Sequence, residues 1–238
     1  MNIRTLVISV ITFFIVSYAQ AQDLQQKEIN VSPFSGVKFE GAAQWVLIPS
    51  NSAKVVIESK KEDVFDYITV KNEGNTLVIN TTDKNKNITK LFKAVTINVY
   101  FTSINSVALS GTGSVKCEEP FSADDLTATL RGTGDMYLEI SCSKFTGNMF
   151  GTGSLTAKGT AGEAIVRVEG VGGFNGYDLI TKDMDVTVSG VGGAQVHATG
   201  RLTAKLNGVG SIRYKGEPEV KNFDTNGLGN IKKVKDDK

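Results

Sequence analysis

Gly132-Thr133-Gly134-Asp135-Met136-Tyr137-Leu138, Gly151-Thr152-Gly153-Ser154-Leu155-Thr156-Ala157 and Gly170-Val171-Gly172-Gly173-Phe174-Asn175-Gly176 are three copies of one short theme. Gly111-Thr112-Gly113 precedes them, and Gly190-Val191-Gly192, Gly208-Val209-Gly210 and Gly227-Leu228-Gly229 follow. Successive first glycines are 21, 19, 19, 20, 18 and 19 residues apart. A short, fixed period of this kind marks a solenoid, in which each unit buries its apolar face only by stacking on its neighbours.

The residues around each glycine pair test that reading. Six, four and two positions before it stand Leu126, Ala128, Leu130; Phe145, Gly147, Met149; Ala164, Val166, Val168; Met184, Val186, Val188; and Leu202, Ala204, Leu206. The intervening positions are mostly polar: Thr127 and Thr129, Thr146 and Asn148, Asp185 and Thr187, Thr203 and Lys205. Four and six positions after the first glycine, the apolar set resumes with Val115 and Cys117, Met136 and Leu138, Leu155 and Ala157, and Ile212 and Tyr214. Alternation with period two is the mark of a strand with one wet face. Each repeat therefore reads as strand, Gly-x-Gly corner, strand, turn.

Two arrangements fit such a unit, a stack of parallel coils or a meander of antiparallel hairpins. In coils, equivalent residues stand directly over one another at about 4.8 Å. The corner's middle residue runs Thr112, Thr133, Thr152, Val171, Val191, Val209, Leu228, with like beside like. Seven positions before the glycine, Asp125, Lys144, Glu163, Asp183 and Arg201 mostly alternate in sign, as stacked neighbours prefer. Hairpins need no such columns. The expected fold is an all-β, right-handed parallel β-helix, the hand parallel crossovers favour.

The organisation follows. Residues 1–21 read as a secretory signal, with Arg4, an apolar run from Leu6 to Val16 and the small-x-small site Ala19-Gln20-Ala21. That run is far short of the twenty or so residues a membrane span requires. Residues 22–105 form a β-rich portion without the glycine period, expected to cap the solenoid. Its strands are read at Val37–Phe39, Gln44–Ile48, Lys54–Glu58, Tyr67–Val70, Thr76–Asn80 and Val95–Tyr100, with a polar loop from Thr81 to Lys90. Residues 106–231 carry the repeats, continuous with the cap, and 232–238 form a charged tail.

Of 238 residues, 40% are apolar and 21% charged, a composition that makes a core and excludes a disordered chain. Losing Arg4 with the leader leaves 25 cations against 25 anions. Broad attraction to nucleic acid or to an anionic membrane is not expected from such a balance.

The corner glycines Gly111, Gly113, Gly132, Gly134, Gly151, Gly153, Gly170, Gly172, Gly190, Gly192, Gly208, Gly210, Gly227 and Gly229 are read as structural. A phosphate loop would lead into a helix, whereas strands follow here. The position after each pair carries Ser114, Asp135, Ser154, Gly173, Gly193, Ser211 and Asn230. One carboxylate in seven does not build the six to eight oxygen ligands calcium takes. No metal or cofactor is therefore expected. Asp183 and Asp185 share an outward face with Arg167 and Arg201 nearby, and a carboxylate pair of this kind could perform acid/base work on a glycosidic bond. Solvent-facing charge ladders explain the same residues more simply. Cys117 and Cys142 sit at different phases of the repeat and are expected to remain free thiols. His197 is read as a surface residue and Trp45 as packed within the cap.

The leader, the β-rich stretch from Phe34 to Tyr100, and the run from Ser110-Gly111-Thr112-Gly113-Ser114 to Asn226-Gly227-Leu228-Gly229-Asn230 resemble the putative auto-transporter adhesin head GIN domain family, formerly a domain of unknown function and widespread in Bacteroidetes. The resemblance covers nearly all of the mature chain. It implies a β-helix exported to the periplasm, the outer surface or the medium, with adhesion as the named role and no catalytic residues to carry over. Little chain follows the last repeat, so a membrane barrel of its own is not expected. The first expectation is a non-enzymatic envelope module binding carbohydrate or protein through a solenoid flank. The alternatives are a polysaccharide lyase or hydrolase using Asp183 and Asp185, and self-assembly into a homo-oligomer through exposed strands.

Overall fold

The computed structural model describes residues 24–81 and 95–234. The expected signal peptide, nearly all of the polar loop and the last four residues of the tail lie outside them. The repeat region is built from β7 (Ser106–Met149), β8 (Thr152–Val168), β9 (Val171–Val188), β10 (Val191–Leu206), β11 (Val209–Lys215), β12 (Val220–Thr225) and β13 (Leu228–Lys233). Every pairing among them is parallel. The register stacks Thr133 on Thr152, Thr152 on Val171, Val171 on Val191, Val191 on Val209 and Val209 on Leu228. This is a β-solenoid of parallel coils, and the antiparallel meander is excluded. Strands run unbroken through some corners: β7 alone is 44 residues long.

The inward columns form the core. Phe145, Ala164, Met184 and Leu202 lie over one another, as do Met149, Val168, Val188 and Leu206, and all are buried. Large beside small fills the narrow interior: Phe145 stands next to Gly147 and Ala164, and its ring lies 6.2 Å from that of Phe174 in a stacked pair. Each fully buried Leu, Val, Phe or Met contributes roughly 1.5–3 kcal/mol relative to exposure. A single coil has no second layer to bury its residues against, so the stack is the folding unit.

At the corner the coils meet backbone to backbone. Gly153 has φ +132°, and a Cβ there would overlap the carbonyl oxygen of Gly134 in the coil below, with that carbonyl's carbon at 2.8 Å. Only a residue without a side chain allows both the backbone angle and the approach. Hydrogen bonds continue the ladder through the corner, with Val171 N donating to Gly151 O at 2.9 Å and Val191 N to Gly170 O at 3.0 Å.

The amino-terminal portion contains β1 (Gln25–Asn30), β2 (Gly36–Pro49), β3 (Lys54–Ser59), a 3-10 helix over Glu62–Tyr67, β4 (Thr69–Glu73), β5 (Thr76–Asn80) and β6 (Thr96–Phe101). β2 already lies in the solenoid: it pairs parallel with β7, placing Gly41 on Gly111, Ala42 on Thr112 and Ala43 on Gly113. On its other edge β2 takes β5 along its first half and β6 along its second, both parallel. The chain thus lays down its second rung before its first. Beyond them β3 pairs antiparallel with β6, β1 with β3 and β4 with β5. Thr81, buried, ties the irregular corner, its hydroxyl accepting from Ala42 N at 2.8 Å.

Three local readings change. The strand expected from Tyr67 starts at Thr69, because Tyr67 closes the 3-10 helix. Lys232 and Lys233, expected in the charged tail, belong to β13, exposed to solvent but paired in register with Arg213 and Tyr214. His197 is half-buried, its ring Nδ1 3.1 Å from Tyr177 O across the coils.

Candidate binding faces

The flank leading into the corner presents three outward columns: Lys144, Glu163, Asp183, Arg201; Thr146, Ile165, Asp185, Thr203; and Asn148, Arg167, Thr187, Lys205. Ion pairs run along the first, Lys144 to Glu163 at 3.3 Å and Arg201 to Asp183 at 3.4 Å. These are partly exposed pairs, each contributing about 0–1 kcal/mol. Asp183 and Asp185 are on one flank, two residues apart on β9, so their Cα atoms are about 6.6 Å apart. Asp183 is engaged by Arg201, whereas Arg167 stacks on Thr187, a different column from either aspartate. Asp185 stands exposed between Ile165 and Thr203. The fold therefore gathers the two carboxylates and Arg201, and places Arg167 apart from them.

The flank leaving the corner carries Tyr137, Thr156, Asn175, Gln195, Arg213 and Lys232 in one column. In the next, Glu139 lies beside Lys158, and His197 beside Lys215. Lys158 lies 5.6 Å from the Tyr137 ring centroid and 3.4 Å from Asp178, and the Tyr137 hydroxyl and then Asp178 raise its pKa. Lys215 lies 5.1 Å from the Tyr177 ring centroid, and burial raises the pKa of the Tyr177 hydroxyl. The corner itself is a ridge of exposed residues, Thr112, Thr133 and Thr152 followed by Val171, Val191, Val209 and Leu228, the last four 55, 54, 48 and 75% exposed. Beside the valines lies a concavity of about 150 Å³, with Gly173, Gly193 and Ser211 in its floor and Asn175, Gln195 and Arg213 along its side.

Two wider depressions lie elsewhere, one of about 560 Å³ around Ser122, Asp124, Ser141 and Cys142, the other of about 500 Å³ between β1 and the 3-10 helix. Cys117 and Cys142 are both free. Burial pushes the Cys117 thiol up to about 12 and that of Cys142 up to about 11, so neither supplies a thiolate nucleophile at neutral pH. Trp45 is fully buried and stacked on Phe39 with ring centroids 4.7 Å apart; its Nε1–H has no hydrogen-bond partner. Among the described residues no cluster of three or more His, Cys, Asp or Glu could hold a metal ion. No helix among them is long and apolar enough to cross a membrane.

Parallel coils in register, with ladders of outward side chains, define the class as a parallel β-solenoid. The chain belongs to the family described as putative auto-transporter adhesin, head GIN domain, which matches residues 33–218. A crystal structure of a putative adhesin from Bacteroides fragilis is 26% identical, with TM-score 0.82 over 90% of this chain and 98% of that one. A putative lipid binding protein from Parabacteroides distasonis is 23% identical, with TM-score 0.68 over 90% of this chain and 97% of that one. A putative adhesin from the same organism is 21% identical, with TM-score 0.67 over 89% and 97% of the two chains. The latter two likenesses show the fold alone. No curated protein matches the chain.

Proposed function

We propose that this protein is an exported, non-enzymatic module of the cell envelope that binds an extended carbohydrate or protein partner along a flank of its solenoid. One observation carries this reading: the outward columns stay in register from coil to coil, as in Asn148, Arg167, Thr187, Lys205 and Asp224. Side chains at about 4.8 Å intervals along a rigid axis can meet a partner that is itself long and regular. The adhesin names of the family and of the Bacteroides fragilis structure support it. The glycan-active alternative rests on Asp183 and Asp185, and the ion pair of Asp183 with Arg201 gives that carboxylate an ordinary ladder role.

The test is a glycan array probed with the mature chain, run beside an assay for release of reducing ends from each glycan retained. The expected result is retention without release. Release that disappears in the Asp183→Ala variant would replace the binding module with an enzyme.

A further inference from the structure

The column just after each glycine pair carries a side chain in most coils, Asp135 and Ser154 before and Ser211 after, but none at Gly173 and Gly193. Two successive coils without a side chain there open the 150 Å³ concavity. Its floor is backbone, and that backbone is already paired on both sides, Gly173 with Ser154 and Gly193, and Gly193 with Ser211. A peptide laid in it would find no free strand edge for main-chain hydrogen bonds, so recognition falls to side chains.

Those side chains have one character. Asn175, whose Nδ2 donates to Thr156 Oγ1 at 3.4 Å and leaves its oxygen to accept, and Gln195 offer amides, Ser211 a hydroxyl, and Arg213 a fork of N–H donors. Arg213 is the one charged residue lining the concavity, and its register partner in the next coil is Lys232. Lys215 stands two residues further along the strand. The acidic members of the same columns, Asp135 and Glu139, belong to a coil two below Gly173, and Asp178, on the same strand as Gly173, is paired with Lys158 at 3.4 Å. Val171, Val191 and Val209 stand two residues before the floor positions, exposed on the corner ridge outside the concavity's lining, and supply an apolar edge next to it. Amides for hydroxyls, an apolar edge for C–H faces and a guanidinium for a carboxylate or sulfate together suit one kind of polymer.

We infer that this concavity is a subsite for an extended acidic glycan lying along the solenoid axis, with its anionic group on Arg213 and its hydroxyls on Asn175 and Gln195. The inference rests on the flank-binding reading above and narrows it to one flank and one ligand class. Rungs about 4.8 Å apart set successive sugars against successive coils. Affinity accordingly rises with chain length and falls with salt.

Filling the floor is a poor test, because a Cβ at Gly173 would meet Gly193 O at 2.7 Å and one at Gly193 would overlap Ser211 O. The exposed side chains serve instead. Binding of the mature chain to an oligouronate tetramer, a sulfated tetrasaccharide, a neutral tetrasaccharide and a polyglutamate peptide is measured by calorimetry for the wild type, Arg213→Ala, Gln195→Ala and, on the other flank, Thr203→Ala. The wild type is expected to bind one or both anionic sugars at least about tenfold more tightly than the neutral one, and Arg213→Ala to erase that preference. Gln195→Ala is expected to weaken all sugars, and Thr203→Ala none. Equal affinity for neutral and acidic sugars, no acidic sugar bound, or polyglutamate bound as well as uronate would each overturn the subsite. If sugars bind and only Thr203→Ala weakens them, the subsite falls while the flank-binding function stands. Release of reducing ends from any of them would instead overturn the function itself.

Discussion

Replacing Gly153 by Ala puts a methyl group where two coils meet. At φ +132° an L residue is strained by about 1–3 kcal/mol. The new Cβ also overlaps Gly134 O, a backbone atom held in the ladder, and overpacking of a rigid site costs typically about 1–3 kcal/mol more. The sum centres on about 4 kcal/mol, a large part of a total stability of roughly 5–15 kcal/mol. For a chain of this size it corresponds to a fall in Tm of about 8–16 °C. Gly147→Ala is the matched control. Its φ is ordinary and its Cβ would approach side chains rather than backbone, Phe145 Cε1 at 3.0 Å and Leu155 Cδ2 at 3.1 Å, both fully buried. Overpacking there costs about 1–3 kcal/mol, offset by about 0.4–1 kcal/mol gained through the unfolded chain, so the net cost is about 0–2.6 kcal/mol, below that at Gly153. Urea and thermal unfolding of both variants, followed by circular dichroism and by Trp45 fluorescence, decide the matter. If Gly153→Ala is as stable as Gly147→Ala, the close backbone contact assigned to the corner is wrong.

Other substitutions probe separate parts of the account. Trp45→Phe removes an indole N–H that has no partner, so the lost packing is offset and urea titration should give a change within about 1 kcal/mol, whereas Trp45→Ala should cost about 3–5 kcal/mol. Phe145→Ala, which empties a fully buried site between coils, should also cost about 3–5 kcal/mol by the same measurement. Both thiols have folded pKa values above that of the unfolded chain, near 9, because burial disfavours the thiolate. Their contribution to stability is therefore complete below about pH 9 and declines as pH rises towards 11–12; urea midpoints measured across that window should fall less in Cys117→Ala than in the wild type. Asp183→Asn, at a partly exposed ion pair, should change stability by no more than about 1 kcal/mol in urea titration.

What could be read from the sequence follows from how the coils stack. Lys144, Glu163, Asp183 and Arg201 could be set in a column before any coordinates because parallel strands in register turn a sequence period directly into a spatial neighbour. The same logic fails at Gly41-Ala42-Ala43, which occupies a corner although Ala43 breaks the Gly-x-Gly pattern. The placing of β5 and β6 under β2 was hidden for another reason: it depends on long-range pairing that no local pattern encodes. β1 is polar and exposed along most of its length and so lacks the apolar alternation that marks a strand. Gly173 and Gly193 stand in the sequence as the side-chain-free members of the column Ser114, Asp135, Ser154, Gly173, Gly193, Ser211 and Asn230. Their meaning as a hollow appears only once Asn175, Gln195 and Arg213 stand beside them.

Every binding face requires coils that rise one rung per repeat, and a distance ruler along the corner measures that rise directly. Nitroxide labels are placed at Thr133→Cys and Val209→Cys in a Cys142→Ala background, and pulsed electron spin resonance gives their separation. Four rungs at about 4.8 Å put the labelled backbones about 19 Å apart, and moving the second label from Val209 to Leu228 should add about 4.8 Å. A separation that does not grow by one rung when the label moves by one repeat would contradict the parallel stack and every face built on it.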